Sequence, residues 1–287
     1  MAFLAVRQAI RPDRLNSMLV PSAVPFEGNL LLASLATRER ALLTPHLALE
    51  DHPRGRTLFE VGDDVSRVTF PLDRTVATLV VPLREGRTVE TATVGHEGAI
   101  GGVVSQGYLP AFTRCVVQIE GAVLRMDADR LRDAKRVSPT LNDLFVRYAD
   151  CLLAQVLQSV ACNGAHPIEQ RVIRWLLTLR DRIGTDALPV TQNVLAAMLG
   201  VGRSYVTGVL GDLQDQGLIV VGRGRIHLLD RERAEAACCE CHARVRGHFR
   251  TVLGTVCAPD GKILAVEATD PQAWIDPPPS EVREAHS

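Results

Sequence analysis

Three groups of residues in this chain have types and spacings suited to chemistry on a partner. The first is a run of hydrogen-bond donors, Arg203, Ser204, Tyr205 and Thr207, which follows Leu199-Gly200-Val201-Gly202. Two further arginines, Arg223 and Arg225, flank Gly224. A guanidinium fork can donate to both O6 and N7 of a guanine, and arginines at a turn neutralise phosphates. The second group is Cys238-Cys239-Glu240-Cys241-His242. Thiolate and imidazole are donors that suit zinc. On one continuous helix over Arg231–Leu253, Cys238 would share a face with Cys241 or His242. That face continues through Ala234, Val245 and Phe249, so small-residue packing explains it equally well. A tetrahedral set needs further ligands, and the neighbouring sequence supplies none. No metal is therefore assigned, and Cys238, Cys241 and His242 stand only as candidate ligands. A third cluster, His96 and Glu97 in the run GHEGAIGGVV (95–104), could touch a small molecule.

The elements that must position the first group can be read from local pattern. Thr191 can cap a helix over Gln192–Leu199 with its hydroxyl. Gly200 allows a tight turn. A second helix follows from Arg203 to Gln216, with Val206, Val209, Leu210 and Leu213 at core spacing, and Gly217 ends it. LIVV (218–221), the turn at Gly222-Arg223-Gly224 and RIHLL (225–229) predict a two-stranded hairpin. Helix, short turn, helix and hairpin make a winged helix-turn-helix. Its second helix would enter the major groove with Arg203, Ser204, Tyr205 and Thr207 at base edges. Thr191, Gln192, Arg223 and Arg225 would set the register on the backbone. Asp212 and Asp215 fall at the far end of that helix, away from the DNA.

Upstream, the period changes. Runs at 57–61, 67–72, 75–83, 89–94, 115–119 and 122–126 are rich in strand formers and separated by glycines, which predicts an all-β barrel or sandwich. Leu30–Leu49 has helical spacing interrupted by Pro45. Ser138-Pro139 signals a helix start. Beyond it, apolar residues recur at spacings of three and four to about Cys162, which predicts a long amphipathic helix. Leu141, Phe145, Tyr148, Leu152, Gln155, Val156 and Ser159 are the residues expected to pair with a second copy. Cys151 and Cys162 read as buried thiols rather than a redox pair between subunits. Pro167–Ile183 predicts another helix stopped by Gly184.

Composition limits the function classes. The 287 residues suit two domains, and 46% hydrophobic against 23% charged residues excludes bulk disorder. With aromatics at 4%, a stacking platform for single strands is disfavoured. A net charge of −1 disfavours wholesale polyanion binding but leaves room for a local basic face. No apolar run approaches a membrane span, and the N-terminus lacks a signal-peptide pattern, so a cytoplasmic protein with reduced cysteines is expected. No G-x-S-x-G elbow, HExxH pair or P-loop is present, and no enzymatic activity is expected.

The segment TQNVLAAMLGVGRSYVTGVLGDLQDQGLI (191–219), with RGRI (223–226), resembles the DNA-binding domain of the Crp/Fnr family of bacterial transcription regulators. The resemblance extends over about 29–250. It implies an α+β chain: an antiparallel β-roll like a cyclic-nucleotide-binding domain, a long dimerisation helix and a C-terminal winged helix-turn-helix. The expected units are an arm at 1–28, the roll at 29–136, the dimer helix at 137–163, the DNA-binding domain at 164–253 and an extension with a disordered tail at 254–287. The resemblance further implies a homodimer on a pseudo-palindromic double-stranded operator, with RNA polymerase as a further partner. An effector in the roll would shift the two recognition helices. His96, Glu97, Gly101, Gly102 and Arg114 are the candidate effector contacts.

Departures from the family pattern narrow this reading. Of the recognition-helix pattern in cyclic-AMP-responsive members, only Arg203 matches; Ser204 and Gly208 replace the rest. Gly102 stands where their phosphate-turn glutamate would be, and no Arg-Ser pair precedes CVVQI (115–119), with Arg114 displaced from that pattern. Tight cyclic-AMP binding is therefore not expected. The first cysteine is Cys115, so the N-terminal iron–sulfur site of the redox-sensing members is not expected either. The effector stays unidentified. Two alternatives stay open: a thiol- or metal-based redox-sensing regulator, and a β-roll ligand-binding module whose winged helix contacts protein.

Overall fold

The computed structural model describes residues 24–101, 110–257 and 263–266. Most of the expected arm and tail, and Gly102, lie outside these residues. Among the described residues, seven antiparallel strands form the N-terminal roll: β1 (Ala48–His52), β2 (Thr57–Phe59), β3 (Arg67–Pro71), β4 (Val76–Pro82), β5 (Thr88–Val94), β6 (Arg114–Ile119) and β7 (Gly121–Asp127). They make two sheets, ordered β1-β7-β3 and β2-β6-β4-β5. Val68, Phe70, Leu124 and Met126 turn inward from β3 and β7 and are fully buried.

Leu30–Leu49 is not one helix. It divides into α1 (Leu30–Ala33), α2 (Thr37–Leu43) and a 3-10 turn at Thr44–His46 that contains Pro45, and Ala48 already belongs to β1. Pairing of β1 with β7, from Ala48 opposite Arg125 to His52 opposite Gly121, overrides the local helical spacing. Asn29 caps α1 by accepting from the Leu32 N–H, and its amide donates to the Pro71 and Gly98 carbonyls. One buried side chain thus fastens α1 to the roll.

After α3 (Ala128–Val137), Ser138 caps the long helix α4 (Pro139–Ala165) by accepting from the Leu141 N–H. The helix runs through Asn163-Gly164. It stops at His166, whose extended backbone (φ −110°, ψ 146°) is what the following Pro167 demands. The ring of Phe145 meets that of Phe70 edge-on at 6.2 Å, and the Tyr148 hydroxyl donates to the Ala99 carbonyl at 3.0 Å. Leu141, Phe145, Tyr148, Gln155 and Ser159 are therefore buried against their own chain, which corrects their expected place at a dimer interface. Leu152 and Val156 are half-buried. The large apolar residues that α4 leaves open are Val146, Leu153, Leu157 and Val160, at 57%, 55%, 61% and 67% exposure. The expected set lay on the wider apolar face, and in a helix this long that face is claimed by the roll. Cys151 and Cys162 are fully buried within the chain.

The C-terminal unit contains α5 (Ile168–Ile183), β8 (Ala187–Leu188), α6 (Gln192–Leu199), α7 (Arg203–Asp215), β9 (Ile219–Gly222) and β10 (Arg225–Leu228). Its strands pair in the order β8-β10-β9. Trp175, Leu176, Leu195, Val206, Leu210 and Ile226 share one buried core. The expected single helix over Arg231–Leu253 is two, α8 (Arg231–Ala237) and α9 (Cys241–Leu253). Cys238 is extended (ψ 155°) and breaks it where Cys239 and Cys241 pack on Cys162. A hairpin of β11 (Thr255–Cys257) and β12 (Ile263–Val266) follows. Among the described residues no single helix is long and apolar enough to cross a membrane.

Candidate DNA-binding interface

The two helices of the candidate reading head are held at a fixed angle by local chemistry. Thr191 Oγ1 accepts from the Val194 N–H and starts α6. Gly200 ends it in the left-handed region (φ 68°), which a side chain would strain. The Arg171 guanidinium donates to the Leu199 carbonyl at 2.9 Å, meeting an acceptor the helix end leaves free. α6 and α7 then cross at 110°, within the range typical of helix-turn-helix units. Val206, Val209, Leu210 and Leu213 anchor α7 in the core. This burial leaves Arg203, Ser204, Tyr205, Thr207 and Gly208 exposed at the start of the helix.

The wing closes around the same end. Gly222 pairs with Arg225 across a two-residue turn in which Gly224 has φ 73°, the position where a type II turn favours glycine. Arg223 and Arg225 are exposed on this hairpin. A cleft of about 350 Å³ lies between α6, α7 and the wing and is lined by Thr191, Gln192, Asn193, Arg203 and Arg225 among others. Of the expected residues, Thr191, Gln192, Arg203 and Arg225 meet at this cleft, while Ser204, Tyr205, Thr207 and Arg223 are exposed on α7 and the wing without lining it. Gln192 Oε1 accepts from the Thr207 hydroxyl at 2.8 Å, so these two residues also brace the helices. Asn193, exposed on the cleft wall, was missed in the sequence; its only signal is its place next to Gln192 at a helix start. No acidic residue occupies the first turn of α6 or α7. Asp212 and Asp215 are exposed roughly 14–18 Å along α7 from Arg203, beyond the screening length of about 8 Å at physiological salt.

The candidate effector residues do not converge. Glu97 is buried and ion-paired with Arg182 of α5 at 2.8 Å, while the Gly95 N–H donates to both of its carboxylate oxygens. Arg182 also donates to the Thr93 carbonyl at 2.8 Å and to Gln155 at 3.2 Å. The glycines of this turn answer to packing: a Cβ on Gly98 would fall 2.2 Å from the Tyr148 hydroxyl, and one on Gly95 would fall 2.9 Å from Arg182 Cγ. Gly101 (φ 77°) abuts the Arg67 carbonyl. Arg114 is taken by Glu60 at 2.6 Å. Two more contacts dock the reading head on the roll. Trp175 Nε1 donates to Glu90, and Gly200 sits against Val89.

His96 lines a separate cleft with Asp73, Arg74 and Arg182. Burial pushes its imidazole below the ordinary value; the Glu97 charge opposes this and the Arg182 charge adds to it. As pH falls through about 6.5, the unfolded chain takes up this proton first, so folded-state stability declines. Comparing urea midpoints from about pH 7.5 to about pH 5.5, His96→Gln should lose less stability than wild type. The difference should not exceed about 1.4 kcal/mol per pH unit. Equal losses in the two proteins would show that His96 does not titrate differently on folding.

The candidate metal ligands also separate. His242 Nε2 lies 2.8 Å from Asp181 Oδ2, and Arg231 donates to Asp181 Oδ1 at 2.7 Å. Burial raises the Asp181 carboxyl, but His242, Arg231 and Arg246 outweigh it and hold it below the usual carboxylate range. His242 is therefore committed to α5 and not to the cysteines. Cys238, at the helix break, is not on a shared helix face with Cys241.

Comparison with known proteins matches residues 170–236 to the Crp-like helix-turn-helix domain. The CRP-like cAMP-activated global transcriptional regulator of Mycobacterium tuberculosis is 26% identical over 200 residues, covering 67% of this chain and 89% of that protein. Residues 170–236 thus form a Crp-like helix-turn-helix domain. The global nitrogen regulator of a Nostoc species is 24% identical over 188 residues, covering 62% of this chain and 83% of that one. Among solved structures, FixK2 of Bradyrhizobium japonicum shares the fold, with a TM-score of 0.59 at 17% identity over 67% of this chain and 98% of its own. The candidate reading head, α6, α7 and the wing, lies inside the matched segment.

Proposed function

We propose that this regulator acts as a homodimer that reads two half-sites of a pseudo-palindromic operator. The observation that carries the reading is the exposed start of α7, Arg203, Ser204, Tyr205 and Thr207, with Arg203 set beside Thr191, Gln192 and the wing residue Arg225 around one cleft. In this reading Arg203 takes a guanine, and Ser204, Tyr205 and Thr207 face neighbouring bases. Thr191, Gln192, Arg223 and Arg225 hold the backbone. The seam between the two copies is the stripe Val146, Leu153, Leu157 and Val160, whose spacing of seven, four and three is that of a coiled-coil face. The effector differs from cyclic AMP. Supporting this, Arg114 is already paired with Glu60, and Glu97 with Arg182.

Binding-site selection followed by titration tests the reading. Arg203→Ala should cost about 1–3 kcal/mol and relax preference at one base position in each half-site. Arg223→Ala should weaken all sequences alike and lower the salt slope by about one. An unchanged base preference in Arg203→Ala would remove α7 from the major groove. Failure of the wild type to bind any duplex would favour a protein partner for the winged helix.

A further inference from the structure

The end of α4 and the break between α8 and α9 bring together a ligand set that no local motif contains. Cys162 Sγ lies 3.7 Å from Cys239 Sγ, and Cys241 Sγ lies 3.5 Å from His166 Nδ1. The four donor atoms of Cys162, His166, Cys239 and Cys241 all fall within 4.8 Å of one another. A tetrahedral zinc ion with Zn–S of about 2.3 Å and Zn–N of about 2.05 Å has S···S edges of about 3.8 Å and S···N edges of about 3.6 Å. The separations of 3.7 Å and 3.5 Å match those edges. All three sulfurs belong to buried residues, and the imidazole is half-buried.

The surroundings fit a metal as well. The other imidazole nitrogen, His166 Nε2, is 3.3 Å from a Glu240 carboxylate oxygen. A carboxylate on the far nitrogen of a ligating histidine fixes its tautomer and aims Nδ1 inward. The Gln158 amide donates to Cys241 Sγ at 3.0 Å, as a thiolate ligand would accept. Arg174, whose buried Nε has no hydrogen-bond partner among the described residues, is close enough for its charge to act on Cys162. A cation suits this place, because three thiolates, one neutral imidazole and Zn²⁺ sum to −1.

We propose that Cys162, His166, Cys239 and Cys241 bind one zinc ion per chain and that this site fastens the end of the long helix to the α8–α9 break. On binding, each thiol releases its proton to solvent, no electron moves, and four ligands close the coordination shell. The site is structural in type, since no position is left for substrate. A single ion is favoured over an iron–sulfur cluster, whose several irons need ligands spread wider than 4.8 Å. The place matters for output. His166 ends α4 and Pro167 precedes α5, so the ion would set the direction in which the reading head leaves the long helix. This inference does not depend on the operator reading.

The test uses the reduced, metal-free full-length chain titrated with Co²⁺ and then Zn²⁺. The expected result is one Co²⁺ per chain, with the intense visible bands of a tetrahedral thiolate site and their loss as one Zn²⁺ displaces it. Cys162→Ser should abolish the bands, while Cys238→Ser and Cys115→Ser should keep them. Glu240→Gln should keep them with affinity lowered roughly 10–100-fold. Should Cys162→Ser fail to fold, thiol alkylation of the wild type serves instead: zinc should protect Cys162, Cys239 and Cys241 and leave Cys115 reactivity unchanged. The proposal is overturned by a wild type without tetrahedral bands, or by bands that survive Cys162→Ser and vanish in Cys238→Ser. It is also overturned if the only event at these thiols is a Cys162–Cys239 disulfide with no metal uptake.

Discussion

Leu153→Asp combined with Leu157→Asp should yield a folded monomer that has lost most of its affinity for a two-half-site duplex. Both leucines are more than half exposed on α4, while the opposite face of the helix is sealed against the roll. Pairing would bury four leucines per dimer at roughly 1.5–3 kcal/mol each, and placing four carboxylates in the seam would add repulsion. Each reading head would then bind alone. Losing the linkage between two half-sites costs affinity by a factor of about 10²–10⁴, while binding to a single half-site should change little. Sedimentation equilibrium and parallel titrations of one-site and two-site duplexes measure both effects. A double variant that still sediments as a dimer would move the interface elsewhere.

Arg182→Met should destabilise the protein by about 3–5 kcal/mol, because it leaves Glu97 as a buried carboxylate without its cation. Both side chains are under a tenth exposed and the pair is 2.8 Å apart. The Thr93 carbonyl and the Gln155 amide oxygen lose a donor in the same step. Adding Glu97→Gln should restore a large part of the loss, since a neutral amide is far cheaper to bury than an unpaired charge. The urea midpoints of wild type, both single variants and the double variant give the coupling directly. A loss below about 1 kcal/mol in Arg182→Met would mean the carboxylate finds water or another cation. Because the pair joins α5 to the turn at Gly95–Gly98, the single variant should also loosen the docking of the reading head. Faster amide exchange in β5 and α6, the elements joined by the Gly200–Val89 contact, would report this.

The reading head was legible residue by residue because its signals are local. Thr191 caps the helix it precedes, Gly200 and Gly217 take positive φ where the turns need it, and Val206, Val209, Leu210 and Leu213 repeat at helical spacing. The strands of the roll were legible for the same reason, except β1, whose residues become a strand only by pairing with β7 some seventy positions away. The helix over Arg231–Leu253 failed for the converse reason. Its spacing is continuous, but the packing of Cys239 and Cys241 on Cys162 outweighs the few hydrogen bonds lost at the break.

The sequence alone therefore determined the order of units, the winged helix-turn-helix and the donors at its tip, since each depends on contacts within a few residues along the chain. Only the tertiary structure decided which face of α4 is buried, because periodicity marks an apolar face without naming what covers it. It alone showed that Glu97 is held by Arg182 and that His242 is held by Asp181. It alone joined Cys162 and His166 to Cys239 and Cys241, because ligands from segments about seventy-five residues apart share a site only once packing has brought their backbones together.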